Sequence, residues 1–259
     1  MSDEPRVTVV TGASQGIGRV IAREFGARGD VVVLAARNGA GLSETAEMVA
    51  ESGGTPMVVE TDVTSQSSAA AMVGAVMGEH GRIDVLVNNS GIGGPSGRLW
   101  EVDLDEWMST FEVNVFGVFL VTRAVLPVMV GRHGGSVVII GSISGKRPLF
   151  GRSAYTTTKT ALIGLTRTLA LEAGPEGIRI NLISPGFVAG PRIEWVMRAQ
   201  AESRGVDVDT VRREFESESA LGRLTEPEDV ARAAVFLASE EASGITGADL
   251  NVNSGVVMY

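Results

Sequence analysis

The stretch Arg6-Val7-Thr8-Val9-Val10-Thr11-Gly12-Ala13-Ser14-Gln15-Gly16-Ile17-Gly18 decides how this chain is read. Its first part is a β-branched, apolar run suited to a buried strand, and it leads directly into three glycines spaced Gly-x-x-x-Gly-x-Gly. A helical stretch follows. Strand, glycine turn and helix N-terminus in that order form a phosphate-binding unit: glycines let the backbone approach a pyrophosphate, and the free N–H groups of the first helical turn face its charge. Gly12, Ser14, Gln15, Gly16, Ile17 and Gly18 are therefore candidate cofactor contacts. The spacing differs from the Gly-x-Gly-x-x-Gly of larger dinucleotide-binding domains. With 33 glycines in the chain, such a loop can also be a plain flexible turn, so the rest of the sequence has to decide.

Working outward, apolar β-branched runs at 31–36, 57–60, 85–87, 136–140 and 178–183 alternate with helical stretches. That alternation predicts βαβ units and an α/β fold: one doubly wound, Rossmann-like parallel sheet of about seven strands, covered by helices on both faces, with ligands outside the carboxyl ends of the strands. No repeat or Pro/Ser-rich linker divides the chain, so residues 1–259 read as a single domain. At 44% hydrophobic and 20% charged, the composition suits such a core. No apolar run is expected to approach the eighteen or more residues of a membrane span, and the acidic Met1-Ser2-Asp3-Glu4-Pro5 lacks the basic and apolar regions of an export signal, so a cytoplasmic protein is expected. The absence of cysteine excludes disulfides, thiolate metal sites and thiol nucleophiles. A net charge of −9 argues against a nucleic-acid partner.

Farther along, Tyr155 and Lys159 stand four residues apart in a helical stretch, which stacks a phenol and an ammonium on one face. A free phenol, with a pKa of about 10, exchanges protons too slowly near neutrality, and a neighbouring cation lowers that value. Such a pair also arises by chance on solvated helices. A serine-hydrolase reading fails, because neither His80 nor His133 sits in a triad motif and both read as ordinary loop residues. Two isolated histidines do not make a zinc site, and no metal is expected.

Taken together, the glycine loop, Asp62-Val63, Asn88-Asn89-Ser90-Gly91, Asn114, Ser142, Tyr155, Lys159 and Pro185-Gly186 resemble, nearly end to end, the compact form of the short-chain dehydrogenase/reductase family, including its 3-oxoacyl carrier-protein reductase-like members. Ser142 precedes Tyr155 by thirteen residues, as in that family. The resemblance implies a nicotinamide-dependent oxidoreductase that moves hydride between cofactor and a carbonyl or secondary alcohol. It makes Tyr155 the proton donor, has Ser142 orient the reacting oxygen, and gives Lys159 both the phenol and the nicotinamide ribose. Asn114 would bend its helix and anchor a proton-relaying water; an amide in so apolar a stretch can equally be a core asparagine satisfied by nearby backbone. By the same resemblance Asp62 accepts from the adenine amino group and Val63 offers backbone, although Asp62 alone also suits a helix N-cap. Asn89, Ser90 and Gly91 form a wall beside the ribose, with Ser90 where the family usually has alanine. Pro185, Gly186 and Val188 hold the nicotinamide end.

Cofactor type is read at Leu34-Ala35-Ala36-Arg37-Asn38. Ala36 stands where NAD-preferring relatives often carry aspartate, and Arg37, with Asn38, is placed to receive a 2′-phosphate through its planar fork of donors. NADP(H) is expected over NAD(H), with Arg37 as a solvated loop cation the plainer alternative. The family pattern breaks after Val188, where Ala189-Gly190-Pro191-Arg192 lacks the usual threonine, and Arg192 is the candidate substitute. Residues 190–221 read as an amphipathic helical lid over the substrate, with Trp195, Met197 and Phe215 as its apolar points, or as an insertion packed on its own core. Ser144 reads as a turn residue or part of the substrate pocket. Relatives assemble as homodimers or homotetramers, and the apolar segments 113–130 and 256–259 are candidate surfaces. A catalytically silent cofactor-binding sensor remains the alternative to an enzyme.

Overall fold

A computed structural model describes residues 4–259; the N-terminal Met1-Ser2-Asp3 of the export-signal argument lies outside the described residues. Strand and helix alternate from the start: β1 (Val7–Thr11), α1 (Gly16–Gly26), β2 (Val31–Ala36), α2 (Gly39–Glu51), β3 (Thr55–Glu60), α3 (Gln66–His80) and β4 (Val85–Asn88). The second half continues with α4 (Leu104–Phe111), α5 (Gly117–Val130), β5 (Gly135–Ile140), α6 (Ser153–Ala173), β6 (Ile178–Pro185), α7 (Pro191–Arg204), α8 (Val208–Ser217), α9 (Pro227–Leu237) and β7 (Asp249–Val252). All seven strands pair in parallel in the order β3-β2-β1-β4-β5-β6-β7. Every expected strand is present, and the expected seventh occupies residues 249–252.

Both faces of the sheet are covered. One layer, α3, α5 and α6, packs Met72, Val76, Val121, Val125, Met129 and Leu162 against Val9, Val33, Leu86 and Val137. The other, α1, α2 and α9, packs Ile21, Phe25, Leu42, Val49, Val230 and Val235 against Val10, Leu34, Val87 and Val138. Adjacent strand residues thus point into opposite cores, which is why these strands read as continuous apolar runs. The strand order reverses between β1 and β4, and a crevice opens at the carboxyl ends of the strands at such a reversal. The glycine loop leaves β1 there and Asn89-Ser90-Gly91 leave β4 there.

Two expectations are corrected. Helix α4 runs without a break through a π-helical turn (Glu112–Phe116) into α5, and the 27-residue helix Leu104–Val130 is long and apolar enough to cross a membrane by length and composition, with a mean hydropathy of 2.0 over an 18-residue stretch within it. This replaces the expectation that no apolar run approaches the length of a membrane span. In the fold this helix belongs to a sheet layer: Val118, Val121, Val125 and Met129 are buried against strands, and the amide of Asn114 is fully buried. His80 is the last residue of α3 rather than a loop residue, and Gly81, left-handed at φ +66°, ends the helix after it.

Candidate active site

The glycine loop is fixed by side chains outside its motif. The hydroxyl of Thr45, on α2, lies 2.9 Å from the carbonyls of both Ala13 and Gly41 and accepts from Nε of Arg19 at 3.0 Å. Arg19 Nη2 donates to the Ser14 carbonyl at 2.7 Å. On the other side Asn89 Nδ2 donates to the carbonyls of Thr11 and Gly12, at 3.0 and 3.3 Å, while the Thr11 hydroxyl accepts from the N–H groups of Asn89 and Ser90. Gly18 is required by contact: a Cβ there would collide with the Gly12 carbonyl and Asn89 Nδ2. Gly12 and Gly16 are left-handed, at φ +65° and +59°. A Cβ on Gly16 would meet open space, so its left-handed conformation rather than crowding is what favours glycine there. Gln15 flanks α1 without a side-chain cap, leaving the first-turn N–H groups, including that of Ile17, available to an anion. These features fit a cofactor pyrophosphate.

At the adenosine end, Arg37 is exposed and has no hydrogen-bond or ion-pair partner among the described residues. Asn38 caps α2, its Oδ1 accepting from the Gly41 N–H at 3.3 Å. Asp62 is not the N-cap of α3; Ser65 is, accepting from the Ser68 N–H. Asp62 instead accepts from the N–H and hydroxyl of Thr64 at 2.9 and 2.7 Å through Oδ1. Those two bonds hold its carboxyl below the usual range against a small opposing burial effect, with a further contribution from the nearby Arg37 charge. Val63 is buried, and a Cβ on Gly117 would stand 2.9 Å from its side chain.

The catalytic candidates converge at the carboxyl ends of β4 and β5 and the start of α6. Lys159 is 5% exposed; its Nζ donates to the Ile140 carbonyl at 2.8 Å and lies 5.8 Å from the centre of the Tyr155 ring. Gly91 brings its backbone against both Lys159 Nζ and Asn114 Oδ1, 3.6 and 3.3 Å from where a Cβ would sit. Burial pushes the Tyr155 phenol up, and Lys159, Arg192, the Ser142 hydroxyl and Arg152 together outweigh it, so its pKa falls below 10. Burial also lowers Lys159; Tyr155 raises it, and Arg192 lowers it again. Ser142 heads a short 3₁₀ turn, Ile143–Gly145, accepting from the Ser144 N–H at 3.1 Å, and its Oγ is 3.2 Å from the buried Ser144 hydroxyl.

Asn114 sits in the π-helical turn with its amide fully engaged. Oδ1 accepts from the Ile92 N–H at 2.8 Å, and Nδ2 donates to the Ile92 carbonyl and to Thr158 Oγ1 at 3.0 and 3.1 Å. A π turn offsets the helical register by one residue. Here Asn114 pins the loop that carries Gly91 to the helix that carries Tyr155 and Lys159.

Toward the nicotinamide end, Gly186 packs its Cα side against Asn253, and a parallel bridge joins Val188 to Thr225. The bonds of that bridge run from the Thr225 N–H to the Phe187 carbonyl and from the Ala189 N–H to the Thr225 carbonyl, so the N–H and C=O of Val188 point the other way. Pro185 closes β6 just before it. Helices α7 and α8 enclose a small core of their own, Met197, Ala201, Val211 and Leu224, with Phe187 and Phe215 in edge-to-face contact at 4.7 Å. Trp195 is exposed and outside that core.

Four side chains that build the site were not singled out in the sequence: Thr11, Arg19, Thr45 and Arg152. Arg152 precedes Tyr155 by three residues, a helical spacing that was available as a signal. The other three lie in strands and helices where nothing marks a residue that braces a loop.

A family model described as Enoyl-(Acyl carrier protein) reductase matches residues 12–257. The 3-oxoacyl-[acyl-carrier-protein] reductase of Salmonella typhimurium (strain LT2) is 34% identical over 258 residues, covering 100% of both chains. Among solved structures, an NAD⁺-bound xylitol dehydrogenase is 29% identical at a TM-score of 0.92, covering 98% of this chain and 100% of its own. A single-site variant of actinorhodin polyketide ketoreductase with NADPH is 33% identical at the same TM-score, covering 98% of each chain. The chain belongs to the short-chain dehydrogenase/reductase family, whose oxidoreductases act on CH–OH and C=O groups. Members bind NADPH in some cases and NAD⁺ in others.

Proposed function

We propose that this protein is an NADP(H)-dependent oxidoreductase that interconverts a carbonyl and a secondary alcohol, with Tyr155 as its acid and base. The observation that carries the reading is the Tyr155 phenol held below its ordinary pKa by Lys159 and its neighbours, beside a cradle shaped for a pyrophosphate. Gly12, Ser14, Gln15, Gly16, Ile17 and Gly18 would receive the pyrophosphate. Asp62 and Val63 would take the adenine, Asn89, Ser90, Gly91 and Lys159 the ribose side, and Pro185, Gly186 and Val188 the carboxamide. Bound there, the nicotinamide supplies or accepts the hydride.

In reduction, the substrate oxygen lies against Tyr155 and Ser142; Ser142 turns its hydroxyl from Ser144 to that oxygen, and Tyr155 gives up its proton. The resulting phenolate is stabilised by Lys159. In oxidation the same phenolate takes the alcohol proton. Asn114 acts as a positioning residue, since its amide joins the Gly91 loop to α6. The small core shared by α7 and α8 supports reading residues 190–221 as an insertion packed on its own core rather than as a lid. A homodimer or homotetramer is supported by exposed Phe116, Phe119 and Leu171 on α5 and its neighbours, and by exposed Met258 and Tyr259.

The NADP(H) preference is supported by the unpaired Arg37 and by Ala36, which leaves no carboxylate at that strand end. Ala36→Asp with Arg37→Ala should shift the ratio of kcat/KM for NADPH over NADH by about tenfold or more toward NADH; an unchanged ratio refutes the assignment. Tyr155→Phe should lower turnover by roughly 10³-fold while the cofactor dissociation constant, read by fluorescence, stays within about threefold. Substantial residual turnover removes Tyr155 from its role.

A further inference from the structure

Two guanidinium groups stand over the Tyr155 ring. Their central carbons lie 5.5 Å (Arg152) and 5.4 Å (Arg192) from its centre, at nearly the distance of Lys159 Nζ on the same ring. Both reach toward Gly93, on the loop that continues from Gly91: a Cβ there would be 2.7 Å from Arg192 Nη2 and 2.9 Å from Arg152 Nη2. Arg152 is half-buried and anchored, with Nη1 donating to Ser96 Oγ and Nη2 to the Gly93 carbonyl, each at 2.7 Å. Arg192 has no hydrogen-bond or ion-pair partner among the described residues. Burial and then repulsion from Arg192 lower the Arg152 pKa, and the Tyr155 phenolate opposes them.

Among the described residues no carboxylate pairs with this cluster, in a chain that carries 31 acidic against 22 basic residues. Arg192 is exposed but stands beside the half-buried Arg152 and the buried Lys159, and like charges grouped where two of them are withdrawn from water are costly unless a ligand supplies the counter-charge. Lys159 already provides a cation to lower the Tyr155 pKa. A planar fork with free donors, positioned by a second and anchored one, suits a carboxylate gripped by two parallel hydrogen bonds. The cofactor pyrophosphate has its own cradle at Gly12–Gly18 and the start of α1, whereas Arg192 reaches Gly93, past the catalytic wall.

We infer that the substrate carries a carboxylate near its reacting carbonyl or alcohol, received by Arg192 with Arg152 holding the second side of the anion. The inference deepens the oxidoreductase reading and rests on it for the word substrate; the anion site itself does not depend on turnover. Arg192→Gln breaks no hydrogen bond of the described residues, whereas Arg152→Gln would free Ser96 and the Gly93 carbonyl; because Arg192 also lowers the Tyr155 pKa, the readout is the acid-to-ester ratio, in which that effect on the proton donor cancels.

The test uses the NADPH-loaded protein. Reduction is measured for a series of oxo-acids with one to four methylenes between carbonyl and carboxylate, each beside its methyl ester, in wild type, Arg192→Gln and Arg192→Lys. Calorimetry of benzoate against benzamide, planar analogues with and without the charge, reads the anion site without chemistry. At least one acid should exceed its ester in kcat/KM by about tenfold to a hundredfold in the wild type. Arg192→Gln should bring that ratio near one, and Arg192→Lys should restore part of it. Benzoate should bind about tenfold more tightly than benzamide, with the difference lost in Arg192→Gln. Acids and esters turned over alike overturn the inference and leave the oxidoreductase reading intact. Absent turnover with selective, Arg192-dependent benzoate binding does the reverse. Loss of NADPH affinity in Arg192→Gln with an unchanged acid-to-ester ratio assigns the guanidinium to a cofactor phosphate and overturns the inference, as does equal binding of benzoate and benzamide.

Discussion

At the glycine loop the inward carbonyls are already held by the protein: Ser14 by Arg19, Ala13 by Thr45, and Thr11 and Gly12 by Asn89. At the mouth above Tyr155, three cations face one phenol, and Arg192 has no hydrogen-bond or ion-pair partner among the described residues. The first region is a rigid backbone surface whose polar atoms are satisfied, with N–H groups left over for an anion. The second is an electrostatic device whose charges are balanced only when a proton moves or a ligand arrives. Binding geometry thus comes from fixed backbone, and proton chemistry from groups left unbalanced.

The largest break of this contrast is Lys159→Met. It removes the strongest of the influences that lower the Tyr155 pKa, so the phenol returns toward or above 10. Alcohol oxidation requires the phenolate, so its kcat/KM should rise with pH along a limb that lies below pH 10 in the wild type and moves to higher pH in the variant. Turnover at neutral pH should drop by roughly 10²-fold. A pH–rate profile that stays in place would show that the lysine acts only on the cofactor.

The second variant breaks the rigid region instead. In Gly18→Ala the new methyl group collides with the backbone carbonyl of Gly12 and with Asn89 Nδ2, a side-chain end held in place by its bonds to the Thr11 and Gly12 carbonyls. Stability should fall by about 1–3 kcal/mol, and cofactor affinity should fall while the alkaline limb of the pH profile stays put. Thermal denaturation together with cofactor titration separates the two effects. A shifted pH profile would mean that the two regions are coupled more closely than their separate hydrogen-bond networks show.

The same contrast explains what was legible in the sequence. The strands, their number and the glycine loop were readable because backbone geometry imposes spacing: continuous apolar runs for strands buried on both faces, and glycine wherever a Cβ has no room. Tyr155 and Lys159 were readable because a helix fixes four residues to one face. The function of Asn114 was not, since its partners, Ile92 and Thr158, lie 22 and 44 residues away and meet it only through a π turn. The grouping of Arg152 with Arg192 was equally hidden: their convergence on Gly93 depends on where two loops end. The expectation of no long apolar run missed Leu104–Val130, a helix whose apolar residues pack into a sheet layer and which is as apolar as one in lipid.

Thr45→Val tests the smallest effect and the least legible contribution. Valine keeps the buried volume and shape but removes the hydroxyl that faces the Ala13 and Gly41 carbonyls and accepts from Arg19 Nε. The two carbonyls and the guanidinium then lose a shared partner, and stability should fall by about 1–2 kcal/mol in chemical denaturation. Arg19 still holds the Ser14 carbonyl, so the loop keeps one brace, and cofactor affinity should weaken by only about threefold to tenfold. A loss of affinity as large as that of Gly18→Ala would make the hydroxyl, rather than the close approach of backbone at Gly18, the main determinant of the cradle's shape. An unaltered affinity would mean that β1 and Asn89 alone fix the loop, and that the brace from α2 serves the fold and not the site.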